Sequence, residues 1–378
     1  MTASRRKIVY LTGTRADFGL MKAALLQIAE VADLSIAVTG MHLHPAFGNT
    51  VEDIRATGLN VCGEIPIDVT ARSGEGMAVG IGDCIKGITL LLQQTSPDIL
   101  LLLGDRGEML AGAIAALHLG LVCVHIHGGE RSGTVDELVR HAISKLSTFH
   151  FVATDQSRDR LVRMGELPDR IFVTGAPGLD NIVDSAEMSA RDFQRALGMP
   201  EESAFVLAVF HPVVQQFSDA REQTCSVLDA LRRTGLPVVW AEPNSDAGSQ
   251  GILDALNSVS LPPGSRRVSH LQRDVFCNAM KRCAVLVGNS SAGIIEAASF
   301  GTPVVNIGNR QRLRERNANV TDVAPLADDV YEAIREALAH GKWPCDNRYG
   351  DGFSGNRMRD NLLGLPLQRA VLEKINTY

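Results

Sequence analysis

The apolar run Ile99-Leu100-Leu101-Leu102-Leu103 ends in Gly104-Asp105-Arg106, and about twenty residues on the chain reads His125-Ile126-His127-Gly128-Gly129-Glu130. A short unbroken apolar run is the pattern of a strand buried on both faces, the habit of parallel sheets covered by helices. Ligands of such sheets bind at the carboxyl ends of the strands. Two strand ends would therefore bring two carboxylates, Asp105 and Glu130, and the Arg106 guanidinium to one crevice. That set suits proton transfer or the stabilisation of developing charge.

Anion handling is the second chemistry the residue types offer. The loop Thr12 to Gly19 joins a strand-like run to a helical one, and Arg15 there could hold a phosphate at a helix N-terminus or simply sit in a solvated turn. Gly288-Asn289-Ser290-Ser291-Ala292-Gly293 follows another apolar run and opens a helix. Its free N–H groups and two hydroxyls would suit a diphosphate, while Ser290 or Ser291 as a plain N-cap needs no ligand. Gly293 would let a ligand approach the backbone, and Glu296 would suit a ribose. Arg310, Arg312, Arg314 and Arg316 form a basic loop fit to neutralise phosphates or to be solvated.

Histidines add a third possibility. His125 and His127 alternate along a strand, as would His42 and His44 if that segment is extended. A metal site lacks third and fourth ligands at sensible spacing, so none is expected. His211 follows the run Val206 to Phe210 and is an acid/base candidate, with a structural histidine as the plain alternative. Gly74-Glu75-Gly76 and Gly80-Ile81-Gly82 superficially resemble a dinucleotide fingerprint, but no strand precedes them.

The elements that must position these residues alternate strand and helix from the start: strand 7–12, helix 19–32, strand 34–39, helix 82–94, the strand ending at Asp105, helix 108–119, strand 122–127, helix 136–146, then strands 149–154 and 171–174. Helical crossovers imply parallel pairing. The cluster Gly175-Ala176-Pro177-Gly178 marks an exit from a first domain. After a polar segment at 184–202 the alternation restarts with strand 204–210, helix 219–234, strand 237–241, helix 272–282, strand 284–288, helix 291–300 and strand 303–307. A last helical segment at 367–376 is expected to pack back on the first domain.

At 378 residues the chain exceeds what one core usually supports, so two domains are expected. A net charge of −6 with 45% hydrophobic residues offers no basic excess for nucleic acid. No window approaches the ~20 apolar residues of a membrane span, and no signal-peptide core is present, so a cytoplasmic protein without nucleic-acid or membrane partners is expected. Seven cysteines without a Cys-x-x-Cys pair argue for buried free thiols.

With Gly13-Thr14-Arg15-Ala16-Asp17, Gly104-Asp105-Arg106, His125-Ile126-His127-Gly128-Gly129-Glu130 and Gly288-Asn289-Ser290-Ser291 in one order, the chain resembles UDP-N-acetylglucosamine 2-epimerases over about residues 7 to 320. It looks closer to the hydrolysing branch than to the non-hydrolysing one, whose Gly-Thr-Arg-Pro-Glu, Gly-Asp-Thr and Glu-Ala-Gly motifs differ here. The resemblance implies an α/β, GT-B architecture, two Rossmann-like domains with parallel sheets facing an interdomain cleft. These would span 1–180, joined by a C-terminal helix at 366–378, and 181–365, the nucleotide-binding half. Asp105, Glu130 and Asp136 match the family's acidic catalytic residues and His211 its active-site histidine. Glu137 beside Asp136 leaves that choice open, since one residue along a helix turns a side chain by about 100°. Arg15, Arg106, Ser290, Ser291, Glu296 and Arg310 match nucleotide-contacting positions, and Asp17, His44, His127 and Gly293 join the expected substrate-binding set.

The implied reaction converts UDP-N-acetylglucosamine and water to N-acetylmannosamine and UDP through 2-acetamidoglucal, for sialic-acid-type sugars, with no cofactor and in a homodimer or homotetramer. Alternatives are the same reaction on a UDP-2,4-diacetamido-trideoxyhexose or GDP-N-acetylglucosamine for legionaminic-type sugars, a non-hydrolysing epimerase, a GT-B glycosyltransferase, or a nucleotide-sugar sensor.

Overall fold

A computed structural model describes residues 5–70, 73–133, 135–199, 204–243, 246–269, 271–375 and 377. Its first sheet contains β1 (Lys7–Thr12), β2 (Asp33–Thr39), β3 (Asn60–Ile65), β4 (Ile99–Leu103), β5 (Val122–Ile126), β6 (Phe149–Val152) and β7 (Ile171–Val173), in the order β3-β2-β1-β4-β5-β6-β7. The second contains β8 (Val206–Val209), β9 (Val238–Ala241), β10 (Arg266–Val268), β11 (Val285–Gly288), β12 (Val304–Ile307) and β13 (Val320–Val323), in the order β10-β9-β8-β11-β12-β13. Every pairing between these strands is parallel.

The unbroken apolar strands follow from burial on both faces. Ile99, Leu101 and Leu103 pack with the helix Arg15–Val31, while Leu100 and Leu102 face the helices Gly74–Thr95 and Gly107–Leu119. Leu207 and Val209 likewise point away from the cluster that holds Val206 and Ala208. In each sheet the strand order reverses once, between β1 and β4 and between β8 and β11. Open α/β sheets bind ligands at such switch points, outside the carboxyl ends of the strands. The four loops at these ends are 13–14, 104–106, 210–212 and 289–290, the segments whose chemistry stood out in the sequence.

Several element expectations are corrected. The first helix starts at Arg15, not Gly19, because Thr14 and Asp17 form a reciprocal capping box. The segment at 184–202 is not simply polar: Ala190–Leu197 is an amphipathic helix that buries Phe193 and Leu197. The helix expected over 291–300 breaks after Ile295 into a 3₁₀ turn, Ala297–Phe300.

At the C-terminus the expected helix over 366–378 is only a 3₁₀ turn at Arg369–Leu372, residues 376 and 378 lying outside the described residues. The true helix is Ser354–Gly364, ended by Pro366, which cannot continue it. Asp180 holds its start, accepting from the Ser354 N–H at 2.8 Å. Gly355 lets it lie close on the first helix, where a Cβ would stand 2.8 Å from Ala24 Cα. The tail beyond does pack back on the first sheet's unit, with Lys374 donating to the carbonyls of Ser144, Lys145 and Ser147 at 2.8, 2.9 and 2.8 Å. Among the described residues no helix is long and apolar enough to cross a membrane. Four of the seven free cysteines are buried and Cys345 is exposed.

Candidate active site

Asp105 and Arg106 leave β4 after Gly104, whose φ of +82° suits glycine. Asp105 Oδ2 is ion-paired with Arg140 Nη2, from the helix Val135–Leu146. Arg140 is 1% exposed and also donates to the Glu130 carbonyl at 3.2 Å. Arg106 lies 3.2 Å from Glu108 Oε2 and 3.6 Å from Asp246 Oδ1, which comes from the second sheet's unit. Glu108 raises the Arg106 pKa further, against the effect of burial.

Beyond β5, Glu130 Oε1 is 2.5 Å from His127 Nδ1 and Glu130 Oε2 is 2.6 Å from Arg314 Nη1. Burial would raise the Glu130 carboxyl pKa, but Arg314 and His127 outweigh it and bring it down to about 2. His125 is a structural residue: it donates from Nε2 to the Gly104 carbonyl at 2.7 Å and accepts from Ser144 at 2.9 Å, pinning the turn before Asp105. Burial pushes its pKa down to about 3.

Asp136 and Glu137 differ in what they touch. Glu137 Oε2 accepts from the N–H groups of Ser132 and Gly133 at 2.8 and 2.6 Å, so it ties down its own loop. Asp136 instead faces Arg310 of the second unit, 3.8 Å away.

Opposite, Gly288 closes β11 with φ +142°, where a Cβ would stand 2.0 Å from the Val209 carbonyl oxygen, so only glycine fits. Asn289 then exchanges two 2.8 Å hydrogen bonds with the backbone of His211, locking the ends of β8 and β11 together. Burial, with help from Arg310, lowers the His211 pKa to about 3, so its ring is neutral. Arg310 Nη1 and Gln311 Nε2 both donate to the Asn289 carbonyl, at 3.2 and 3.1 Å. Ser290 caps the helix Ser291–Ile295, its hydroxyl accepting from Ala292 N–H at 3.3 Å.

A family model described as UDP-N-acetylglucosamine 2-epimerase matches residues 25–363. The UDP-N,N'-diacetylbacillosamine 2-epimerase (hydrolyzing) of Legionella pneumophila is 47% identical over 375 residues, 99% of this chain and 100% of that one. The UDP-N-acetylglucosamine 2-epimerase of Neisseria meningitidis is 34% identical over 92% of this chain and 91% of its own. The chain belongs to the UDP-N-acetylglucosamine 2-epimerase family. A crystal structure of UDP-GlcNAc 2-epimerase from Neisseria meningitidis bound to UDP-GlcNAc matches the fold with a TM-score of 0.79 at 19% identity, covering 95% of this chain and 100% of that one. The two parallel sheets are thus the GT-B-like α/β architecture of these epimerases.

Within that family frame, some expected ligand contacts have other work. Asp17 is committed to its own loop, accepting from Thr12 and from the N–H groups of Gly13 and Thr14 at 3.1 and 2.8 Å. Burial raises its pKa to about 6 despite those bonds. Gly293 faces the sheet, where a Cβ would meet Val304 at 3.0 Å and Leu286 at 3.2 Å; it serves helix–sheet packing rather than ligand approach. His42 and His44 do not alternate on a strand, because Gly40–Leu43 is a 3₁₀ turn. His42 bridges Thr12 and Thr50 at 2.9 and 2.7 Å, and His44 accepts from Ala46 N–H at 3.1 Å. Glu296 pairs with Arg273 at 2.7 Å, and Arg15 with Asp53 at 3.2 Å.

Of the basic loop, Arg314 is buried on Glu130 and Arg316 pairs with Asp322 at 2.9 Å, so only part of it resembles the solvated alternative. Sequence reasoning missed Arg140, Arg273 and Asp246, whose partners are remote in the chain. Arg140 carried one usable signal, falling four residues after Asp136 on the same helix face. Among the described residues no three His, Cys, Asp or Glu side chains cluster so as to hold a metal ion.

Proposed function

We propose that this protein is a hydrolysing 2-epimerase that converts a UDP-linked 2-acetamido sugar and water into UDP and the free C2-epimeric sugar. The observation that carries this reading is the 47% identity, over essentially both full lengths, with the hydrolysing L. pneumophila enzyme. The same observation favours a donor with a second acetamido group, a UDP-2,4-diacetamido-trideoxyhexose, over the UDP-N-acetylglucosamine that the motifs alone suggested. UDP-N-acetylglucosamine is the second reading, favoured by the N. meningitidis relative at 34% identity.

The geometry suits the chemistry. The C2 hydrogen is barely acidic, so departure of UDP must lead and leave positive charge at C1, which carboxylates stabilise. Asp105 and Asp136, each partnered by an arginine at the cleft, supply that negative field. The C1–O bond breaks with its electron pair going to UDP, the C2–H pair becomes the C1=C2 bond, and the proton passes to a base. Water then adds its oxygen to C1 and gives one proton to a base, while an acid on the opposite face protonates C2, which needs a second acid/base group. Arg15, Arg106, Arg310, Ser290 and Ser291 would receive the diphosphate, Ser291 at the first turn of a helix beside the β8/β11 switch point. His211, neutral and near Arg310, would meet the leaving oxygen.

Side-by-side assays of UDP release from the two donors test the assignment. A higher kcat/KM with UDP-N,N'-diacetylbacillosamine supports the first reading, and a higher one with UDP-N-acetylglucosamine the second. UDP-linked epimer as the product would move the protein to the non-hydrolysing type, transfer to an added sugar acceptor would make it a glycosyltransferase, and binding without turnover would make it a sensor.

A further inference from the structure

Glu130, which motif position marks as catalytic, has no oxygen left for a substrate. One oxygen is hydrogen-bonded to His127 at 2.5 Å, the other is buried in an ion pair with Arg314 at 2.6 Å that lacks hydrogen-bond geometry, and the residue is 3% exposed. A buried carboxylate gripped on both sides is a support, and the side chain it supports is His127. A carboxylate oxygen only accepts, so the ring's Nδ1 carries a hydrogen and Nε2 is the nitrogen left to exchange a proton with a ligand. Nε2 makes no hydrogen bond to any of the described residues.

His127 also sits where a reacting group belongs. It follows β5 at the strand's carboxyl end, two residues from His125, which fixes the turn into Asp105. Its backbone has φ +65°, a conformation uncommon outside glycine, and its N–H is held by the Phe151 carbonyl at 2.9 Å. Such strain concentrates where a side chain must be aimed. The arrangement of an open ring nitrogen, a buried carboxylate and a cation beside it has the logic of a base oriented by a third group.

Resting on the hydrolysing 2-epimerase reading, we propose that His127 is the base that removes the C2 proton, with Glu130 and Arg314 as positioning residues that fix its tautomer and ring. Nε2 takes the proton as the C2–H electron pair forms the C1=C2 bond and UDP leaves with the C1–O pair. The resulting imidazolium is held against the Glu130 carboxylate through Nδ1–H and gives its proton to solvent before the next turnover. Because Arg314 comes from the second unit, the base is fully oriented only when that unit's 309–317 loop lies against the first.

The test uses His127→Gln and His127→Ala in the full-length protein, with UDP-N,N'-diacetylbacillosamine and UDP-N-acetylglucosamine as donors. kcat should fall by about 10²–10⁴-fold in both variants while calorimetric UDP affinity changes by less than about threefold. Added imidazole should restore His127→Ala at least about tenfold and leave Asp105→Asn unrestored, a readout that a purely structural histidine would not move. If His127→Ala loses UDP binding, His127→Gln decides. His127→Gln within about tenfold of wild type, or His127→Ala that binds UDP but ignores imidazole, overturns the proposal and leaves the function reading intact. Wild-type protein that hydrolyses neither donor overturns both.

Discussion

The rim built by the first sheet carries the acids, with Arg15 and Arg106 beside them, and the rim built by the second carries mainly hydrogen-bond donors. Asp105, Glu130 and Asp136 follow β4 and β5, and each carries an arginine partner: Arg140 from the same unit, Arg314 and Arg310 from across the cleft. At the second rim, Asn289 joins the ends of β8 and β11, Ser290 caps a short helix, and Arg310 is steadied on the Asn289 carbonyl. Equivalent positions in two similarly wound sheets thus carry opposite electrostatics. On the proposed reading the difference divides the labour: the acids of the first rim bear on the sugar's C1 and C2, while the second rim, with Arg15 and Arg106 reaching from the first, bears on the leaving diphosphate.

That division is broken most severely by Asp105→Asn. Losing the charge should lower kcat by about 10³-fold while UDP affinity, assigned to the arginines and serines and not to this carboxylate, changes by less than about threefold in calorimetry. A parallel loss of UDP binding would contradict the division.

Glu130→Gln probes how the first rim pays for its buried charge. The Glu130 pKa lies at about 2 against an ordinary 4.5, so its ionised form contributes stability that is present above about pH 4.5 and lost as pH falls toward 2. Glu130→Gln should therefore unfold more easily than wild type by on the order of 3 kcal/mol at pH 7. In urea titrations the gap should narrow steadily below pH 4.5. A gap independent of pH would mean that Arg314 and His127 do not hold this charge. Asp17, raised to about 6 by burial, acts with the opposite sign: its contribution is greatest below its unfolded value and is lost as pH rises through about 6. Comparing the variant with wild type at each pH cancels it.

On the second rim, Arg310→Met should weaken UDP binding by about 10–100-fold, the worth of a charge-assisted hydrogen bond to phosphate, with a smaller effect on kcat at saturating donor. Unchanged UDP affinity would remove Arg310 from the diphosphate site. The smallest expected effect is that of Gly293→Ala, which must push Val304 and Leu286 aside and should cost about 1–3 kcal/mol by thermal unfolding, without loss of UDP affinity in the folded protein. Lost UDP binding with unchanged stability would restore the ligand-approach role that the sequence suggested.

Much of this architecture was legible because burial on both faces writes itself into a chain as runs such as Ile99–Leu103 and Val285–Val287, and because strand ends announce themselves with Gly104 and Gly288. Asp105 and Glu130 stood out for the same reason, as charged residues soon after apolar runs, whereas Asp136 entered only through the family resemblance. Partnership was not. Arg140 and Asp105 are 35 residues apart, and Glu130 and Arg314 come from the units of different sheets and meet only across the cleft. Nothing local distinguishes Arg314, buried on a carboxylate, from Arg312 two residues before it. The C-terminal helix was misplaced because its start depends on Asp180, far away in the chain, while the run after Pro366 mimics a helix without a cap. Gly293 was misread because its neighbours Leu286 and Val304 belong to strands, and sequence shows a glycine's freedom but not what crowds it.

The most direct measurement is proton NMR of the purified protein with UDP-N,N'-diacetylbacillosamine or UDP-N-acetylglucosamine in deuterated water, following the anomeric and C2 signals together with UDP. Hydrolytic epimerisation predicts free C2-epimeric sugar carrying deuterium at C2, formed in step with UDP. Free sugar that retains both its C2 proton and its original configuration would contradict the assignment, because it would mean simple hydrolysis with no proton ever removed from C2.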